Sequence, residues 1–326
     1  MPTKKIYQQL AREITRHDWD EQPQLIIRDT NYEYEIKQFQ GTAFDSDYKC
    51  YKISGKEWIP QGVIVRGKQV NVQFVAKISN VTEVKMLQML YEQQYPVPIV
   101  AYALGSPKDP QSAMMFESFI PGKELFQIDS IDAWKKASET IASIHSRYWN
   151  ASDSQSQWWA DLGVYQEAPT SNFNRKIACA ETNAVFWKET MQIVKERLRT
   201  APKTLVHGDL FPTNVLINDN KCVIIDWADA GAFPYFLDLG RFTGIVRLDT
   251  ERMCKYESEV CNAYFEKIES VLNLSYEEFM RDVYLGQFIE CANYYQPPHP
   301  IFGSINTKYN SAVKNRLDEL SKLIAK

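Results

Sequence analysis

The chain has 326 residues, 44% hydrophobic and 13% aromatic. That is enough apolar matter for one large domain or two lobes with cores of their own, and too much for a disordered chain. A formal net charge of −4 disfavours a nucleic-acid partner, which needs a basic face. Up to Phe116 the chain carries 14 Lys/Arg against 13 Asp/Glu, and beyond it 23 against 28. The acidic second part suits a cationic acceptor or metal ions; an ordinary solvated surface gives the same balance. The six cysteines (Cys50, Cys179, Cys222, Cys254, Cys261, Cys291) form no CxxC pair, and no histidine stands at zinc-finger spacing from them. Reduced thiols in a cytoplasmic protein are therefore expected. Lys4 and Lys5 have no apolar stretch behind them, unlike a secretory leader, and no apolar run approaches a membrane span.

In chain order, an amphipathic helix is expected over residues 4–16. Strands follow at 34–39, 48–53, 62–66 and 71–78, punctuated by Gly41, Gly55 and Gly67. Over 82–91, Val84, Leu87 and Leu90 or Tyr91 recur at helical spacing, and Pro96 and Pro98 close the segment. A further strand is expected at 113–116. After Pro121-Gly122 the texture turns to long helices, at 132–149 and 174–198. Trp158 and Trp159, between them, pack a core or line an acceptor pocket. A strand pair at 214–217 and 222–225 is joined by Asn218-Asp219-Asn220. Residues 250–325 read as helical, broken at Pro297, Pro298 and Pro300. Sheet first and helices second predict an α+β, two-lobed plan: a small antiparallel-sheet lobe with one main helix over 1–117, and a larger, mostly helical lobe over 118–326.

One segment carries the chemistry. His207-Gly208-Asp209 is followed by Asn214 five residues after the aspartate, an apolar strand, a turn, a second apolar strand and Asp226-Trp227. The hairpin is expected to fold back so that Asn214 and Asp226 reach a shared ion. Carboxylate and amide oxygens are hard ligands suited to Mg²⁺. Asp209, on the loop beside them, is placed to accept a hydroxyl proton and orient a nucleophile. The four letters His-Gly-Asp-x4-Asn alone arise by chance in about two chains per thousand of this length, and the strands and final aspartate lower that further.

These residues resemble the aminoglycoside phosphotransferase/choline kinase family, relatives of the protein kinases, which typically carries His-Gly-Asp-x4-Asn and then Ile-Asp-Trp or Ile-Asp-Phe. The resemblance implies a protein-kinase-like fold and a phosphotransferase using ATP (or GTP) and Mg²⁺ on a small-molecule hydroxyl. Asp209 would be the catalytic base, Asn214 and Asp226 the metal ligands, and His207 a structural hydrogen-bonding residue. Upstream, Val75-Ala76-Lys77-Ile78 is similar to the strand whose lysine contacts ATP phosphates, and Glu83 to the glutamate that pairs with it. Met115–Gly122 resembles the hinge between lobes, where backbone groups near Glu117 and Phe119 would hydrogen-bond adenine. The phosphate loop would hold Gly41 and Thr42. In this family acceptor groups come from helices late in the chain, which implicates Glu290 and Tyr294, at i, i+4.

The chain departs from the pattern in three places. The phosphate loop has a single glycine instead of G-x-G-x-x-G. The stretch 54–71 is long enough for an extra hairpin. Few residues separate Asp226 from Asp238, too few for a protein-kinase activation segment, which argues against a protein substrate. Asp238-Leu239 resembles the family's helix start, with Asp238 expected as a cap, and His145 is expected to be a packed core histidine. Two other readings remain: a nucleotide-binding pseudokinase or partner-binding module, and an atypical protein kinase. The expected partner is a small-molecule acceptor, with no nucleic acid and no membrane, and the expected state is a monomer or weak homodimer.

Overall fold

In the strand Val72–Asn80, Phe74 and Ala76 are buried on one side while Val75 and Lys77 alternate to the other, the period-two pattern of a sheet covered on one face. The computed structural model describes residues 4–16, 24–28, 33–38, 51–53, 57–59, 63–67, 72–105, 112–149, 172–218, 221–244, 250–295 and 307–326. Its backbone contacts form two compact units, residues 1–122 with 223–228, and 123–222 with 229–326.

The first unit is built on a six-stranded antiparallel sheet. Its strands are β1 (Gln24–Arg28), β2 (Glu33–Gln38), β5 (Val63–Gly67), β6 (Val72–Asn80), β7 (Val100–Gly105) and β8 (Ser112–Ser118), in the order β1-β2-β5-β6-β8-β7. Helix α1 (Lys4–Arg16) lays Tyr7, Leu10, Ala11 and Ile14 on one face, against Ile36, Val65, Phe74, Ala76, Met114 and Phe116. Tyr7 stacks on Tyr102 with ring centroids 5.1 Å apart. Helix α2 (Val81–Glu92) follows β6 directly. Asn80 caps it, its side chain accepting from the Glu83 N–H at 2.8 Å. An extra hairpin was expected within 54–71; what forms is β4 (Glu57–Ile59) paired with β3 (Tyr51–Ile53), which belongs to the strand expected at 48–53. Strands β1 and β7 were not expected from the sequence. Val100–Gly105 lacks a clean alternation, and its burial is intermediate or exposed throughout.

The second unit is mostly helical. Its helices are α3 (Ile131–Arg147), α4 (Asn172–Asn183), α5 (Lys188–Thr200), α6 (Phe236–Thr243), α7 (Thr250–Leu272), α8 (Tyr276–Tyr294) and α9 (Thr307–Ile324). α8 starts with a capping box, Ser275 with Glu278. It buries residues all round, from Phe279 to Ala292, which marks it as the central helix. The single helix expected over 174–198 is two helices. Ala184–Trp187 breaks it because Trp187 turns inward and donates its indole N–H to Asp318 of α9 at 2.8 Å. Short strands complete the unit: β9 (Lys123–Glu124) pairs with β11 (Val215–Asn218), and β10 (Lys203–Val206) with β13 (Gly231–Pro234). β12 (Lys221–Ile224) leads towards Asp226. Asn214 closes a 3-10 turn, Pro212–Asn214, before the strand rather than in it. No helix among the described residues is long and apolar enough to cross a membrane.

Candidate active site

In the first unit, the side of β6 and β8 that carries Lys77 collects charge. Lys77 pairs across the ladder with Met115, and Val75 with Glu117, so Lys77 and Glu117 emerge on the same face. The Lys77 ammonium lies 2.7 Å from Glu83 Oε1, 3.2 Å from Asp226 Oδ1 and 3.8 Å from Glu117 Oε1. Glu83 is fully buried. Its Oε1 also receives the Trp227 N–H at 3.2 Å, and its Oε2 the Ser79 hydroxyl. The segment bearing Asp226 is held by Ile224 N–H to Pro96 C=O at 3.1 Å and by the Asn80 amide to Ala228 C=O at 2.8 Å. Asp226 itself sits at φ 66°, a left-handed conformation that a non-glycine residue adopts under constraint and that clusters at functional sites.

One ammonium serving three carboxylates leaves the cluster short of positive charge. Burial, opposed by Lys77 and helped by Glu83 and Asp226, leaves the Glu117 carboxyl pushed up to about 7. Its Oε2 is buried with no hydrogen-bond partner. For Lys77, burial opposes the charged form, but Glu117, Asp226 and Glu83 outweigh it and hold the ammonium protonated well above its usual range.

In the second unit the loop His207-Gly208-Asp209 is fixed from beneath. Asp238 of α6, 1% exposed, accepts the His207 N–H at 2.6 Å and the Gly208 N–H at 2.9 Å. It also lies 3.2 Å from His145 Nε2, whose Nδ1 is 2.6 Å from the Tyr264 hydroxyl. Burial works to raise the Asp238 carboxyl, but the His145 hydrogen bond and the neighbouring histidine charges keep it below the ordinary value. Gly208 is at φ +81°, and a Cβ there would sit 2.2 Å from the Asp229 carbonyl oxygen; only glycine takes this turn. The loop then presents Asp209. Asn214 Nδ2 donates to the Asp209 C=O at 2.8 Å and lies 3.4 Å from Oδ2. The Arg241 guanidinium donates to Asp209 Oδ1. Lys176 of α4 donates to Gly208 C=O at 2.6 Å, with Asp209 Oδ1 at 3.7 Å and Asp229 Oδ2 at 3.8 Å. Burial would raise the Asp209 carboxyl, yet Arg241, Lys176 and His207 hold it below the usual carboxylate range.

Residues 58–270, more than half of the chain, match the family described as "Phosphotransferase enzyme family". The chain belongs to the phosphotransferase enzyme family. It is accordingly a phosphotransferase. No curated protein matches it in sequence. Three of the solved structures that share the fold of this phosphotransferase illustrate the likeness. One is the Plasmodium vivax ethanolamine kinase, 10% identical with a TM-score of 0.55 over 98% of this chain and 89% of that one. Another is amicoumacin kinase hAmiN in complex with AMP-PNP, Ca²⁺ and Ami, at 9% and 0.54 over 98% and 94%. The third, a thermostable mutant of APH(4)-Ia in ternary complex with ADP and hygromycin B, gives 15% and 0.51 over 86% and 95%. At these identities the likeness establishes the expected protein-kinase-like architecture.

The residues anticipated in the phosphotransferase fall into place unevenly. Lys77, Glu83 and Asp226 meet in the first unit, while Asp209 and Asn214 share a loop in the second. Glu117 joins the Lys77 cluster through its side chain, whereas the sequence pointed to backbone groups near it. The Phe119 N–H, expected to face adenine, is committed to Gln73 C=O at 3.2 Å. Gly41, Thr42, Trp158 and Trp159 lie outside the described residues, as does the turn at Asp219 and Asn220. Glu290 and Tyr294 both meet Arg241, at 2.5 and 3.3 Å. His145 is a core histidine, bonded at both ring nitrogens. Asp238 is corrected from a helix cap. It lies inside α6, whose N-cap is Tyr235, and its carboxylate spans to the His207 loop instead. Arg241 and Lys176 were missed. Arg241 left a signal, because an arginine between Leu239 and Phe242 in an apolar helix must find buried acidic partners.

Proposed function

We propose that this phosphotransferase moves the γ-phosphoryl group of ATP, with Mg²⁺, onto a hydroxyl of a small molecule. The observation that carries the reading is the Asp209 carboxylate, kept ionised and fixed on a pinned loop with Oδ2 turned to Asn214. An acid held below its normal range is a weak proton acceptor and a good orienting one. A loose phosphoryl-transfer transition state asks for that, since the hydroxyl proton leaves late. Asp209 accepts the hydrogen bond of the acceptor hydroxyl and aims its oxygen. The new bond joins that oxygen to the γ-phosphorus, the bond to the β,γ-bridging oxygen breaks, and the proton passes to Asp209. Lys77, anchored by Glu83, places a point charge on phosphate oxygens.

The donors suit a hard cation. Asn214 uses its Nδ2 on the loop, and among the described residues its Oδ1 has no protein partner; Asp226 Oδ2 is likewise untied. These are the oxygen ligands that Mg²⁺ takes alongside waters and phosphates. An ion held by Asn214 and Asp226, as the family resemblance implies, would neutralise charge on the phosphate oxygens. An adenine nucleotide is supported by the AMP-PNP and ADP complexes of proteins sharing this fold, one of them with Ca²⁺.

The test is an ATP-consumption screen over aminoglycosides, other antibiotics, choline, ethanolamine, sugars and homoserine. One class is expected to stimulate turnover. Asp209→Ala should lower kcat about 10³-fold with the KM for MgATP within about threefold, and Asp226→Ala should weaken MgATP binding and turnover together. Near-full turnover by Asp209→Ala would defeat the mechanism. Tight MgATP binding with no turnover on any acceptor would indicate a nucleotide-binding module instead.

A further inference from the structure

A guanidinium taken out of water needs partners on every edge, and Arg241 has an uneven set. Its Nη1 donates to Glu290 Oε2 at 2.5 Å and to the Tyr294 hydroxyl at 3.3 Å. Its Nη2 donates to Asp209 Oδ1. The Cζ lies 3.7 Å from the centroid of the Phe211 ring, a cation–π contact on the same loop as Asp209. Its Nε is buried with no hydrogen-bond partner. If the arginine served only to tie α6 to α8, Glu290 would satisfy it. Instead it reaches the Asp209 carboxylate while Nε stays unmatched.

The backbone is built to allow this reach. A Cβ on Gly240 would lie 2.1 Å from the Gly286 carbonyl carbon, and one on Gly286 would lie 2.2 Å from the Phe236 carbonyl oxygen. Two facing glycines therefore let α6 and α8 approach closely. Arg241 follows Gly240, and Glu290 stands one turn beyond Gly286, so the close approach aligns donor and acceptor.

We propose that Arg241 is the positioning residue of Asp209: it locks Oδ1, leaves Oδ2 to receive the acceptor hydroxyl, and is itself held by Glu290 and Tyr294 from α8. The inference rests on the reading of Asp209 as the group that orients the acceptor. A carboxylate free to rotate about its Cβ–Cγ bond presents the wrong oxygen much of the time. Two fixed donors, Arg241 on one oxygen and Asn214 near the other, remove that freedom before substrate arrives.

The variants are Arg241→Lys and Arg241→Met, assayed with the acceptor found by the screen. A single ammonium cannot serve Asp209 and Glu290 in the forked geometry, so Arg241→Lys should lower kcat about tenfold, and Arg241→Met about 100-fold. The KM for MgATP should stay within about twofold in both. A merely structural arginine would lower the unfolding temperature and leave the kcat of the folded protein alone, and that result overturns the proposal. If Arg241→Met does not fold, Arg241→Lys decides by itself: a kcat within twofold of the parent is the overturning outcome. If the unaltered protein phosphorylates nothing, the functional reading fails separately. The present inference is then settled by the crystal structures of the unaltered protein and of whichever variant folds, where an Asp209 side chain in the same rotamer in both sinks it.

Discussion

The two charged clusters are balanced to different degrees. Around Lys77 one cation faces Glu83, Glu117 and Asp226, and the shortfall shows in a Glu117 carboxyl pushed up to about 7. Around Asp209, two cations, Arg241 and Lys176, meet Asp209, Glu290 and Asp229, and the Asp209 carboxyl is held down. A cluster short of positive charge gains when a cation joins it, whereas a nearly neutral one gains little. The first cluster is therefore suited to binding and the second to orienting. Variants that disturb one cluster and spare the other test this division.

The largest effect is expected at Asp238, beneath the second cluster. Asp238→Ala strands the His207 and Gly208 N–H groups and unpairs a buried histidine. Removing one partner of such a buried network costs about 3–5 kcal/mol, to be read from urea unfolding. The fraction that still folds should bind MgATP with an affinity near that of the parent, since the Lys77 cluster is untouched. A loss under about 1 kcal/mol would show that the loop is not pinned by this carboxylate.

A smaller effect is expected where α6 meets α8. At Gly240 an added methyl has no room beside Gly286, so Gly240→Ala must push the helices apart. Overpacking of this kind costs roughly 1–3 kcal/mol. It should also lower kcat, because it separates Arg241 from Glu290, while MgATP binding holds. An unchanged unfolding temperature would refute the close approach.

The two clusters were also unequally legible in the sequence. Lys77, Glu83, Asp209, Asn214 and Asp226 were readable because each sits in a short motif whose spacing reflects a local turn or ladder. Asp238 was visible as a motif but misjudged. Its neighbour in sequence is the start of a helix, while its partners at His207 and Gly208 lie 31 and 30 residues away in the chain. Arg241 and Lys176 were hidden for the same reason, since a tertiary contact between α4, α6 and α8 leaves no periodicity. Among the strands, β6 announced itself through its alternating residues, matched by alternating burial, and β8 through the apolar run Ala113–Phe116, buried throughout. Val100–Gly105 did not, because its face is only partly covered. The break at Ala184–Trp187 depended on Trp187 reaching Asp318, 131 residues on.

The smallest effect, and the one that separates the clusters most cleanly, is expected at Glu117. Its carboxyl titrates near 7 in the folded protein, against an ordinary value of 4.5. Between those values the native state binds a proton that the unfolded chain has released. Stability must therefore fall as pH rises through that window and level off above 7. Glu117→Gln keeps the shape and removes the titration. Comparing unfolding free energies at pH 5 and pH 8, the parent should lose about 1–3 kcal/mol more than the variant. The Asp209 cluster offers no such gain, because its carboxyl is already held ionised. Parallel stability curves for the parent and Glu117→Gln would mean that Lys77 compensates Glu117 fully, and the contrast between a cation-hungry cluster and a saturated one would collapse.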